Sequence, residues 1–255
     1  GNYDITEQTS TTATISPRTV TVSGLTASDK TYDGNATANI VTSGATFNGI
    51  VAGETFSMTA DGTFRNALNT ADDKNAGFAK VVAISNSAYT IASGTTSLDN
   101  YTIIDQATTS ANINQKTLTI SGIDAQNRDY DGTVDATIDL NALVRDGLIT
   151  GDAVNVSATG VFTSRNVARN DGGNVIDQTV TLTEVFTGAD VRNYNIVAQG
   201  SALAKINPKD LDLTGSSAIT AADKVYDGTA TATLDLTSVC ADLDTAGLIA
   251  GDVSV

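Results

Sequence analysis

The sequence predicts a mostly β protein made of tandem copies of one small module of about 97 residues. Three observations carry this. The tripeptide Tyr-Asp-Gly occurs at Tyr32–Gly34, Tyr130–Gly132 and Tyr226–Gly228, at spacings of 98 and 96 residues. Many short runs alternate polar and apolar residues, the period of a half-buried strand. The acidic residues are skewed: only Glu7, Glu54 and Glu184 among the 29 are glutamates. Aspartate serves turns, where its short side chain bonds nearby backbone, whereas helix surfaces prefer glutamate.

Further landmarks keep step with the tripeptide, and a fixed period of this kind marks a repeat architecture. Upstream stand Ile15–Gly24, Ile113–Gly122 and Ile206–Gly215. Downstream stand Gly53-Glu54, Gly151-Asp152 and Gly251-Asp252, then Ala60-Asp-Gly-Thr-Phe64 and Ala158-Thr-Gly-Val-Phe162. An Asn-Tyr pair closes each copy at Asn2-Tyr3, Asn100-Tyr101 and Asn193-Tyr194. Residues 1–16 therefore read as the tail of a preceding copy, 17–115 and 116–208 as whole repeats, and 209–255 as the front of a third. Pro17 and Pro208 sit at junctions, where proline fixes φ and stiffens a short connection, and Gln115 takes the matching place between them. No long flexible linker intervenes, so the repeats are expected to abut as an elongated rod. The two ends of the chain do not add up to one whole copy, which reads as a cut from a longer array.

Within a repeat the strands follow from alternation. Thr19–Ser23, Thr117–Ser121 and Asp210–Thr214 form the first, Val154–Val161 and Thr179–Val185 two more, and Asn195–Ile206 a final one entering the next repeat. Leu140–Ile149 and its counterpart Leu236–Ile249 instead space apolar residues three and four apart, which predicts a short helical element. Each repeat is then about six strands plus this element, a small β-sandwich or a β-grasp-like module. Aromatics are only 5% of the chain, so modest cores of Val, Ile, Leu and Ala with one or two rings each are expected.

Composition excludes several functions. A net charge of -15 and pI of about 4.1 repel nucleic acid, and no apolar run is long enough to insert this segment in a membrane. With no histidine, Ser-His-Asp and Cys-His catalysis and His-containing zinc sites are gone, and the expectation is that this is not an enzyme. The single cysteine, Cys240, cannot form an internal disulfide and reads as a small hydrophobe.

Lys30-Thr-Tyr-Asp-Gly-Asn-Ala-Thr37 and Lys224-Val-Tyr-Asp-Gly-Thr-Ala-Thr231 resemble the repeats called YDG domains. With the Gly-Asp step, Asp73-Lys-Asn-Ala-Gly77 and the closing Asn-Tyr, the chain is also similar to MBG modules. The second repeat departs from the pattern, with Asp129 before Tyr130 and Arg165-Asn-Val-Ala-Arg169 where the first is more acidic. The resemblance implies repeats of large exported bacterial surface adhesins similar to filamentous haemagglutinin. It implies an extracellular, cell-surface location and a structural spacer role, and it supplies no catalytic residues. Adjacent repeats of the same chain are the expected partners; a host or surface glycan or protein, or assembly into an acidic salt-adapted filament, is the alternative.

Tyr32, Asp33, Gly34, Tyr130, Asp131, Gly132, Tyr226, Asp227 and Gly228 are read as a structural motif. Asp-Gly is a turn signal, and the tyrosine ring packs over a core with its hydroxyl bonded at the edge. A glycan-stacking platform is the functional alternative. No cofactor is required. Calcium is the candidate ligand of two aspartate groups, Asp129, Asp131 and Asp135, and Asp61, Asp72 and Asp73, although neither matches a known calcium-loop spacing.

Overall fold

The structure is a computed structural model and describes residues 1–93, 97–211, 220–235, 248, 249 and 252. Alternation fixes its central strand. Arg18–Ser23 turns Val20 and Val22 inward and its threonines outward. It pairs antiparallel with Thr46–Asn48 and parallel with Tyr101–Ile104. A second sheet runs in the order Lys30–Thr31, Thr108–Asn114, Gly77–Ser93, Thr55–Phe64, Thr37–Ala38. Phe56, Met58 and Phe64 are buried from its strand Thr55–Phe64.

The two sheets face each other through these side chains. Val20 packs with Phe56 and Tyr101, and Val22 with Leu25 and Met58. Phe56 meets Phe47 and Tyr101 edge-on at 5.7 and 5.2 Å, and Phe47 meets Tyr89 at 6.3 Å. Two facing sheets without an α-helix among the described residues make a sandwich rather than a grasp. The first repeat buries four rings, Tyr32, Phe56, Phe64 and Tyr101, more than the one or two expected, whereas the second buries two, Phe162 and Tyr194.

The chain forms two compact units. The first holds Gly1–Leu118 with Gly147–Val154 and Thr187–Ile196; the second holds Thr119–Asp146, Asn155–Phe186 and Val197–Val255. In the second, a sheet runs Asp135–Ala136, Asn155–Phe162, Gln178–Thr187, Ser201–Ala204. This is the order of the corresponding strands of the first repeat. Ile120, Ile123, Phe162, Val180 and Ile206 are buried.

Two expectations are corrected. Leu140–Ile149 is not helical. Asp139 caps a turn by accepting from the Asn141 amide at 2.8 Å, and Val144–Asp146 pairs as a strand with Thr119–Ser121. Gly147 then turns with φ +94°, its Cα so near the Thr117 carbonyl that a Cβ would lie 2.5 Å from the oxygen. The three-and-four spacing of apolar residues reflects turns whose side chains are partly buried or exposed, not a helix face. The helical elements in the described residues are single 3-10 turns at Leu98–Asn100 and Val191–Asn193. Second, Asn195–Ile206 is not one strand. Tyr194–Val197, Ser201–Ala204 and Ile206–Asn207 are separated by a turn in which Gln199 bonds both the amide and the carbonyl of Ile123. The counterparts Asp210–Thr214 and Leu236–Ile249 lie largely outside the described residues, as does Cys240.

A substitution at Gly147 tests the first correction by its sign. In a helix, Gly147→Ala would stabilise by about 1 kcal/mol. In the observed turn it is expected to destabilise by about 1–2 kcal/mol from the positive φ alone, measured by urea unfolding of the full chain.

Candidate functional site: the tyrosine–aspartate interlock

The three residues of each Tyr-Asp-Gly turn have separate tasks. Lys30–Thr31 runs parallel to Ile113–Asn114, and the Tyr32 amide continues that pairing to the Asn114 carbonyl at 2.8 Å. Arg128–Asp129 does the same beside Ile206–Asn207, with Tyr130 bonded to Asn207 at 2.9 Å. Each tyrosine is thereby set beside the strand by which the chain leaves its own repeat.

The aspartate closes the turn. Asp33 accepts from the Asn35 amide at 3.1 Å, Asp131 from Thr133 at 2.8 Å and Asp227 from Thr229 at 2.9 Å. Each also pairs with a cation three residues earlier, Lys30, Arg128 or Lys224. The Thr133 amide, then Arg128, holds the Asp131 carboxyl down at about 2. These carboxylates are half-exposed, so solvent screens the ion pairs and the turn geometry matters more. Glycine completes the turn at φ +83° and +81°.

The tyrosine reaches into the next repeat. In the first compact unit, Tyr32 donates to Asp152 at 2.8 Å, Tyr194 donates to the same oxygen at 2.6 Å, and Lys74 pairs with the other at 3.2 Å. The Asp152 side chain is 2% exposed. The Tyr32 and Tyr194 rings meet edge-on at 5.6 Å, and Lys74 lies 5.9 Å from the Tyr32 ring. The Tyr194 hydroxyl also accepts from the Ile149 amide at 3.0 Å, and the Asp152 amide closes onto the Ile149 carbonyl at 3.1 Å. Gly34 fits against this turn: a Cβ there would stand 3.0 Å from the Ile149 side chain.

Beside this cluster, Asn193 is fully buried. Its carbonyl accepts from the Ala76 amide at 3.0 Å and its amide donates to Asn75 at 3.2 Å. Gln115, where the other junctions have proline, donates to the Arg192 carbonyl at 2.9 Å. Four separate landmarks thus converge: Tyr-Asp-Gly and Asp-Lys-Asn-Ala-Gly from the first repeat, Gly-Asp and Asn-Tyr from the second.

Burial alone would raise the Asp152 pKa, but donation from Tyr194, Tyr32 and Lys74 outweighs it and holds the carboxyl below its usual range. Burial, then the carboxylate, pushes both tyrosine hydroxyls up. Asp152 and Tyr32 likewise raise Lys74. The arrangement holds Asp152 as a carboxylate between two neutral hydroxyls and an ammonium.

The pattern recurs. In the second compact unit Tyr130 donates to Asp252 at 2.5 Å, Arg165 pairs with the same carboxylate at 3.1 Å, and a Cβ on Gly132 would fall 2.6 Å from Ile249. The acceptor half appears once more in the first repeat. There Tyr101 donates to Glu54 and accepts from the Val51 amide at 3.2 Å, and the Glu54 amide closes onto Val51 at 3.1 Å.

The family model for the YDG domain matches residues 16–111 and again 114–202. The chain belongs to the YDG-domain family. No curated protein and no solved structure matches it. In these two YDG repeats the signature tyrosine is an interlocking side chain: Tyr32 is 1% exposed and presents no face for stacking a sugar. Tyr226, by contrast, is 91% exposed.

Among the described residues, no three acidic side chains gather into a set that could hold a metal. Asp61 accepts from Asn86, Asp72 pairs with Arg65, and Asp73 binds Lys80 and Asn75. Asp129 and Asp135 are exposed on short strands. Lys74, Asp152 and Asn193 were visible in the sequence as landmarks, but no spacing there says that they meet.

The pKa directions fix the pH response. Unfolded, Asp titrates at about 3.9 and Tyr at about 10. Asp152 is lowered on folding, so its stabilisation is present above about pH 4 and is lost as pH falls through the folded value. Tyr32 and Tyr194 are raised, so theirs is present below about pH 10 and is lost as pH rises toward their folded values. Urea unfolding across this range is expected to give a plateau falling at both ends, with Asp152→Asn flattening the acid limb. An acid limb unchanged by that substitution contradicts the assignment.

Proposed function

We propose that this chain is a segment of the stalk of an exported bacterial surface adhesin, whose repeats act as spacers that hold a distal binding domain away from the cell. The observation that carries this reading is the direction of the interlock. The tyrosine of one repeat bonds the Gly-Asp carboxylate of the next, and does so twice, Tyr32 to Asp152 and Tyr130 to Asp252. A contact that always points to the following copy suits an array whose repeats are mechanically coupled. The family membership and the acidic, histidine-free composition support the same reading, as does a motif spent on contacts inside the chain rather than on a ligand. No helix among the described residues is long and apolar enough to cross a membrane. On this reading the protein is not an enzyme, requires no cofactor, and acts outside the cell.

Small-angle X-ray scattering of the full chain tests the spacer role. The expected particle is extended, with the same maximum dimension in calcium and in chelator. A compact globule in both conditions would sink the stalk; extension only with calcium would restore the aspartates as ligands.

A further inference from the structure

The long strand Gly77–Ser93 is irregular near its start. Gly77 faces Ile113 and Lys80 faces Ala111, so three steps on one strand oppose two on the other, a β-bulge. Val82 is buried, and plain alternation would bring Lys80 and Phe78 to the same face. The extra residue instead leaves Phe78 87% exposed. Ala79 holds φ +49°, a conformation that alanine disfavours. Its amide donates to Asn112 Oδ1 at 2.7 Å, and Asp29 accepts from both the amide and the side chain of Asn112 at 2.7 and 2.8 Å. Three residues thus hold a large apolar ring out in water.

Phe78 borders a cavity of about 310 Å³, with Asn112, Asn114, Gln115 and Arg192 around it. All five lie in the first compact unit. We propose that this cavity binds an acidic sugar, a hexuronic acid or a glycan ending in one, with its ring on Phe78 and its carboxylate on Arg192. The proposal goes beyond the spacer reading, because it gives the array a ligand.

The polar groups left over suit that ligand. Among the described residues no carboxylate pairs with the Arg192 side chain, and a guanidinium grips a carboxylate with two parallel bonds. Gln115 spends its Nε2 on the Arg192 carbonyl at 2.9 Å, which leaves its Oε1 to accept from a hydroxyl. A pyranose has one apolar C–H face and a rim of hydroxyls. The face seats on an aromatic ring, and the rim meets the side-chain amides of Asn114 and Gln115. The overall charge of -15 opposes an anion at long range, but charges beyond about 10 Å are screened at about 0.1 M salt.

The same positions elsewhere in the chain carry different chemistry. Gln178 faces Ala204 as Lys80 faces Ala111, and two residues before it stands Ile176 instead of Phe78. Pro208 stands for Gln115, and ahead of the Asn-Tyr pair the first repeat has Asp99 where the second has Arg192. The interlock recurs without these residues, so it does not require them.

NMR titration of the full chain with methyl β-glucuronide, in about 0.1 M salt, is the test. Expected are saturable shifts at Gly77, Phe78, Gln115 and Arg192 with a Kd of about 1–10 mM, the scale for so small a ligand. Methyl β-glucoside, which lacks the carboxylate, is expected to bind about fivefold more weakly. Phe78→Ala is expected to weaken the uronide about fivefold, and Arg192→Gln to abolish the preference for it over the glucoside. Both side chains are exposed, so neither substitution is expected to move the urea midpoint. No saturation up to about 50 mM overturns the proposal. So does a short glutamate peptide that binds as tightly as the uronide, which would assign the cavity to protein partners. Neither result bears on the scattering test of the stalk.

Discussion

The Asp152 carboxylate is the point on which the arrangement turns. A buried carboxylate costs several kcal/mol unless it is paired and hydrogen-bonded, and Asp152 meets that demand with donors from both repeats. Tyr32 and Lys74 come from the first, and Tyr194 from the second. Losing any one donor leaves the others serving a charge that is less well satisfied, so the four residues depend on one another. A polar cluster of this kind adds less stability than an apolar one of equal size, but it tolerates few alternative registers.

The surrounding fold serves that contact. The parallel pairing of Lys30–Thr31 with Ile113–Asn114 brings the tyrosine to the strand that enters the next repeat. Gly34 lets the turn approach Ile149, and the Asn193–Asn75 pair fixes a second point nearby. The second occurrence keeps the tyrosine, glycine, isoleucine and aspartate but takes its cation from Arg165 instead of a lysine. The departure of the second repeat from the family pattern at Arg165 thus preserves the chemistry while changing the residue.

Much of this was legible in the sequence, for physical reasons. The central strand and Asn155–Phe162 alternate because one face of each is buried, and a period of two records that directly. The structural reading of Tyr32 followed from a turn signal next to a ring with a polar tip. What was not legible depends on distance along the chain. Leu140–Ile149 shows three-and-four spacing, yet edge pairing with Thr119–Ser121 and the Gly147 turn override it. Gln199 breaks the last strand through bonds to Ile123, 76 residues away. The landmarks Asp73-Lys-Asn, Gly-Asp and Asn-Tyr kept step in the sequence, but that they form one site 42 to 120 residues apart is a tertiary fact.

A double-mutant cycle on Tyr32→Phe and Asp152→Asn, read by urea unfolding of the full chain, tests the central claim most directly. Phenylalanine keeps the ring against Tyr194 and removes only the hydroxyl; asparagine keeps the shape and removes the charge. The account predicts a coupling energy of about 1.5–3 kcal/mol, the range for a hydrogen bond to a charged group. Additive effects, with coupling below about 0.3 kcal/mol, would mean that the tyrosine and the carboxylate are neighbours without being partners.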